Sequence, residues 1–216
     1  MMRVCVVCEG PTEVEFIRTA VAPHLNNEHF YLFPSIIQAP SGRHRGGRVT
    51  VERLVNFMRH QYYEADRLTT FVDFYGFQDA NGRSASVLEN EILQGLVQQG
   101  LQAHRIMPYL QMYEFEALLF SDVDKFEYVL DGWNVRVKEQ LLTISQQFLT
   151  PEAINNHPST APSKRILNVF PAGTYSKTIH GPIIAEEIGI DTLRQRCPGF
   201  NGWIERLEQW KAMSQP

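Results

Sequence analysis

An α/β fold with a mostly parallel sheet is what the first half of this 216-residue chain predicts. Three observations carry the prediction. Short apolar, largely β-branched runs recur at about residues 2–8, 30–38, 68–73 and 103–111. Stretches of helical period separate them, and glycine, proline or polar clusters mark each change of period. Neighbouring parallel strands need a crossover between them, usually a helix. A βαβαβαβ alternation therefore gives a four-stranded, mostly parallel sheet flanked by helices.

The first strand, Met2-Arg3-Val4-Cys5-Val6-Val7-Cys8, stops abruptly at Glu9-Gly10-Pro11. Thr12 reads as an N-cap and Glu13 as an acid of the first turn, opening a helix over about 12–25. The second strand, about 30–38, contains Pro34, which argues for a sheet edge or a bulge. A Gly/Arg-rich loop follows, then a helix over about 49–64 with Val51, Leu54, Val55 and Met58 on one face. The third strand again ends in an acid, Asp73. A polar loop with Gly76 and Gly82 leads to a helix over about 84–99 and a fourth strand over about 103–111. After residue 112 the alternation ends. The segment 114–120 reads as helical, and the remainder as helices broken by Pro151, Pro158, Pro162, Pro171, Pro182 and Pro198. The expected division is an α/β domain at 1–121 and a helical C-terminal extension at 122–216 packed on it.

Composition narrows the classes. With 44% hydrophobic residues the chain can bury a proper core, and its net charge of −4 offers no global field for polyanions. Nucleic-acid contact would have to come from local basic patches. Three cysteines are too few for a disulfide framework. Cys5 and Cys8 have C-x-x-C spacing, but alternation along a strand turns them to opposite faces, and core packing is the expectation. Trp203 and Trp210, seven apart, read as the buried stripe of the last helix. No stretch approaches the roughly 18 apolar residues of a membrane span, so the expectation is a cytoplasmic protein with no membrane partner.

Acids recur where the carboxyl edge of the sheet should lie: Glu9 after strand one, Asp73 after strand three, Glu114 and Glu116 after strand four, with Glu13 close by. Ligands of open α/β sheets bind at that edge. Carboxylates crowded there repel one another unless a cation intervenes, and hard oxygen donors suit Mg²⁺ or Mn²⁺. Positions two apart on a helix do not share a face, so Glu116 is favoured over Glu114. The basic residues Arg43, Arg45 and Arg48, with Lys164, Arg165 and Lys177, are suited to phosphate oxygens. His180, before Gly181-Pro182, is suited to proton transfer. The Gly10-Pro11-Thr12 turn lacks the spacing and lysine of a P-loop, and no G-x-S-x-G elbow is present.

The E-G-x-T-E sequence at Glu9–Glu13 and the Asp-ending third strand resemble the TOPRIM superfamily, especially its OLD-nuclease-like branch. The resemblance implies that Glu9 is the superfamily glutamate, serving as metal ligand or general acid/base, that Asp73 opens its D-x-D motif, and that Glu13 is the extra acid of that branch. Position 75, where a second acid belongs, holds Tyr75. More narrowly, Val72-Asp73-Phe74-Tyr75-Gly76, Tyr113–Phe120, Ala161–Ile166 and His180-Gly181-Pro182 resemble an uncharacterised bacterial family, domain of unknown function 4276, often placed beside ATPases in defence loci. The expectation is a Mg²⁺- or Mn²⁺-dependent nuclease-like protein in a phage-defence setting. Catalysis would rest on Glu9, Asp73, Lys164 and His180, DNA or RNA would be the substrate, an ATPase the partner, and a homodimer one form open to it. The alternatives are a non-catalytic or partner-activated interaction module and a small-molecule phosphatase.

Overall fold

The computed structural model describes residues 1–37, 49–77, 80–154, 157 and 160–215. The loop carrying Arg43, Arg45 and Arg48 lies outside them. Strand β1 (Met2–Cys8) is followed by helix α1 (Pro11–Phe16), which widens into a π stretch (Ile17–Val21) and closes as α2 (Ala22–Leu25). Then come β2 (Phe30–Ile36), α3 (Val51–Gln61), β3 (Arg67–Asp73), α4 (Ala85–Gln98), β4 (Ile106–Met107) and β5 (Leu110–Gln111). The first helix starts earlier than its expected N-cap. Gly10 caps it and Pro11 takes the first position, where a missing N–H costs nothing.

The sheet order is β2-β1-β3-β4, with β5 also on β3, and every pairing between these strands is parallel. Pro34 lies in the edge strand β2, as its missing donor requires. The expected fourth strand is split in two by Pro108, which has no N–H to give the ladder. Threonine hydroxyls of β3 bridge the gap. Thr69 Oγ1 donates to the Met107 carbonyl and Thr70 Oγ1 to the Tyr109 carbonyl, each at 2.6 Å.

The chain runs from β1 to β2 on one side and then returns to place β3 on the other. The reversal makes a crevice at the carboxyl ends of β1 and β3, the switch point at which such sheets bind ligands. Glu9 and Asp73 flank it.

Alternation along β1 sends Val4, Val6 and Cys8 to one face and Cys5 and Val7 to the other. The two cysteines are free, buried and on opposite faces. Burial pushes the Cys5 thiol up to about 12. Helices α3 and α4 cover the Cys5 face. The opposite face is covered by α1 and by the later segments: 3₁₀ turns at Phe115–Ser121 and Val123–Val129, then α5 (Val135–Ser145), α6 (Pro162–Val169), α7 (Lys177–Ile188), α8 (Ile190–Arg196) and α9 (Pro198–Met213). One apolar core joins Val4 and Phe71 to Phe115, Phe200, Trp203 and Trp210. The segment after residue 121 is therefore the second covering layer of the sheet. Among the described residues no helix is long and apolar enough to cross a membrane.

Trp203 fastens this layer. Its ring stacks on Tyr109 at 5.2 Å and its Nε1 donates to Thr69 Oγ1 at 3.0 Å. Trp203→Ala is expected to cost about 3–5 kcal/mol, lowering the melting temperature by at least roughly 6 °C at 2–4 °C per kcal/mol. Val135→Ala, at an exposed position, should stay within about 0.5 kcal/mol. Urea titration of both variants checks the contrast.

Candidate metal and phosphate site at the sheet edge

Five carboxylates meet at the crevice, four of them with one oxygen bound into the scaffold. Glu13, at the third position of α1, accepts the Gly10 N–H on Oε2 at 2.8 Å, a capping-box contact. Asp73, the last residue of β3, accepts the Phe115 N–H on Oδ1 at 2.8 Å. Glu114 accepts the Ser163 N–H on Oε2 at 2.8 Å, at the positive end of α6. Glu116 Oε1 pairs with Lys177 Nζ at 3.0 Å. Glu9 lies against the turn after β3, where a Cβ on Gly76 would stand 2.9 Å from Glu9 Oε2. Among the described residues that buried oxygen has no hydrogen-bond partner, a costly condition for a carboxylate.

The same crowding sets the electrostatics of the cluster. Burial, then repulsion from Glu13, pushes Glu9 up to about 7, against the pull of Arg53 and Lys177. Burial likewise lifts Glu116 to about 7; Lys177 opposes the rise and Glu114 adds to it. Asp73 is held well above the carboxylate range by burial and by Glu13, Glu116, Glu9 and Glu114. Burial raises Glu13 too, in part offset by backbone N–H groups and Lys177. For Lys177 itself, desolvation pulls the amine down, but Glu116, Glu114 and Asp73 outweigh it and hold it above its ordinary value. Lys177 thus bears on all five acids.

Glu114 and Glu116 both join the cluster, which corrects the expectation that only one would. The spacing rule holds inside a helix, but Glu114 precedes the 3₁₀ turn in extended conformation (φ −142°, ψ 153°), so its side chain leaves in a different direction. Lys177 stands in the cluster as the partner of Glu116. Lys164 is exposed on α6. Arg165 donates to the Thr160 carbonyl at 2.7 Å and lies over the Phe148 ring. His180 Nδ1 accepts the Ser176 N–H at 2.8 Å, across the first turn of α7, which assigns the ring proton to Nε2. Two residues near the acids escaped the sequence reading. Arg53, on the first turn of α3, acts on Glu9. Tyr175 has a buried hydroxyl with no partner among the described residues, near enough to Glu116 and Glu114 for their charge to add to burial in raising it. Nothing local in the sequence marks either one.

The donor chemistry, hard oxygens with one orphaned atom at Glu9, fits Mg²⁺ or Mn²⁺. The spacing is wider than a closed coordination shell: among the described residues no three His, Cys, Asp or Glu side chains are grouped to hold a metal ion as they stand.

The chain matches the family described as Domain of unknown function (DUF4276) over residues 8–208, from the last residue of β1 to within α9. It belongs to that family. No curated protein and no solved structure matches the chain. The DUF4276 match takes in all five acids and Lys177.

Glu9 and Glu116 bind protons more tightly in the fold, at about 7, than in the unfolded chain, where the ordinary value is 4.5. The folded state therefore holds more protons between those limits, and stability falls as pH rises through them. The melting temperature should drop from pH 5 to pH 8. Lys177→Met should cost more at pH 8, where Glu116 is forced to ionise without its partner, than at pH 5. Equal costs at both pH values would remove Lys177 as the counter-charge.

Proposed function

We propose that this protein is a Mg²⁺- or Mn²⁺-dependent phosphodiester hydrolase acting on DNA or RNA, built on a TOPRIM-like domain. The observation that carries the reading is the convergence of Glu9, Glu13, Asp73, Glu114 and Glu116 on the switch point of a parallel sheet, around Lys177. Structural ion-pair networks also perturb acids, but they rarely leave a buried carboxylate oxygen orphaned at a ligand-binding edge.

Glu9, Glu13 and Asp73 are the residues that would hold the metal. The scaffold bonds at Glu13 and Asp73 fix one oxygen and leave the other for a ligand. The cation supplies Lewis-acid polarisation of a phosphoryl oxygen when bound. Glu9, placed beside the metal-holding Glu13 and Asp73, could instead serve as the proton carrier, taking a proton from an attacking water or returning one to the leaving oxygen. Lys177 offers a positive charge to the phosphate, and the Phe115 N–H keeps Asp73 in a single orientation. Lys164, on the exposed face of α6, is suited to a neighbouring phosphate of the strand. An ATPase partner in a defence setting belongs to this proposal through the resemblance described above.

Tyr75 favours a second reading. It stands where the superfamily has an acid, it is exposed, and the described acids are not grouped for a metal as they stand. A partner-activated module would have both features.

Calorimetry with Mn²⁺ and a cleavage panel of plasmid, single-stranded DNA and total RNA separate the two. The hydrolase reading expects Mn²⁺ binding that weakens at least about tenfold in Asp73→Asn, a loss of about 1.4 kcal/mol. It also expects cleavage by wild type that disappears in Glu9→Gln while the fold is retained. Wild-type protein that takes up no Mn²⁺ and cleaves nothing would leave the partner module standing.

A further inference from the structure

An open groove of about 880 Å³ runs between the N-terminal turns of α4 and α9. Phe74 and Tyr113 line it, and they are the residues next to Asp73 and Glu114 in the chain. The groove and the acid rim thus share the same two turns. The two rings lie 6.3 Å apart, tilted by 56°. Tyr113 has a φ of 59°, a left-handed conformation that disfavours a residue of its size. The Tyr75 N–H, donating to the Tyr113 carbonyl at 2.8 Å, helps to hold it there. Strain maintained in this way is characteristic of ligand sites. Met112 and Leu110 extend the apolar wall, and the polar groups of the lining balance in charge, Arg83 and Arg206 against Glu89 and Glu205, beside Ser84.

Gly202 is the most telling part of the wall. It lies inside α9, where glycine is a poor choice beside alanine and no unusual φ is needed. A Cβ there would meet no atom of the described residues within 4 Å. Packing does not exclude a side chain at this position; the open space beside it belongs to the groove.

We propose that the groove seats a base of a single-stranded DNA or RNA substrate, stacked on one ring of the Phe74–Tyr113 pair with the other at its edge, while the phosphates of the strand lead on to the acid rim. This rests on the nucleic-acid reading above. A mostly apolar cleft with a few polar groups is the usual form of a site for a flat heterocycle. Aromatic side chains accept any base through its π face. Bases inside a duplex are stacked away, so the groove selects splayed-out strands.

Fluorescence anisotropy tests this with fluorescein-labelled DNA and RNA hexamers and an abasic DNA hexamer of equal charge, all with Ca²⁺ present. Wild type is expected to bind a base-bearing hexamer at least about tenfold more tightly than the abasic one, the scale of one stacked base. Gly202→Leu should erase the difference by projecting a side chain into the base-binding part of the groove. Gly202→Ala should raise the melting temperature and weaken the preference, so folding and binding move in opposite directions. Phe74→Leu, measured beside them, should also lose the preference. Equal wild-type affinity for base-bearing and abasic hexamers overturns the proposal, as does an undiminished preference in a folded Gly202→Leu. Wild type that binds Mn²⁺ without any base preference sinks the groove alone. Wild type that binds neither Mn²⁺ nor any hexamer sinks the nucleic-acid reading with it.

Discussion

Mutual repulsion among five crowded carboxylates is the constraint around which the sheet edge is organised. Each acid is tolerated because something specific answers it: the amide of Gly10 for Glu13, the amide of Phe115 for Asp73, the first turn of α6 for Glu114 and the Lys177 amine for Glu116. Glu9 is answered least among the described residues, one of its buried oxygens having no partner there. The compensating groups come from segments far apart in the chain, so the edge ties the sheet to its covering layer as firmly as the apolar core does. The close crossing of α1 and α7 serves the same end. Gly181 sits at that crossing, where a Cβ would come within 3.1 Å of the Phe115 ring and 3.6 Å of the Thr12 methyl, and the approach brings Lys177 to the acids.

Much of the fold was legible because β1 and β3 are interior strands buried on both faces, which forces continuous apolar runs with sharp ends. Pro34 gave away the edge for an equally simple reason. The fourth strand reads as continuous in the sequence because Ile106, Met107, Tyr109 and Leu110 are all apolar. Its interruption at Pro108 depends on hydroxyls of Thr69 and Thr70, which a local reading of the later segment does not contain. The helical reading of the C-terminal half holds in outline, yet three of its described segments are 3₁₀ turns.

At the candidate site, residue type and strand position place Glu9, Glu13 and Asp73 at the carboxyl edge of the sheet, because acids that end buried strands are conspicuous. Position alone misled at Glu114 and Glu116, since helical spacing says nothing about a residue that enters a turn in extended conformation. The central place of Lys177 is a tertiary fact. It was recognisable as a cation suited to phosphate, but its neighbours are fixed by the α1–α7 crossing. The interior glycine of α9 also carried no local signal. Its meaning depends on what stands opposite it in space, and sequence spacing does not report that.

The order in which the compensating charges are synthesised gives the site a history. All five acids leave the ribosome before the Ser163 amide and the Lys177 amine that answer Glu114 and Glu116 exist. At roughly 5–20 residues per second, that delay lasts on the order of seconds. During it the strands of the sheet can pair, but their carboxyl ends carry negative charge with only part of its eventual compensation. Completion of the edge is therefore a late event, separate from formation of the sheet. A chain interrupted between Glu116 and Lys177 would retain every acid and still lack the geometry that holds them together.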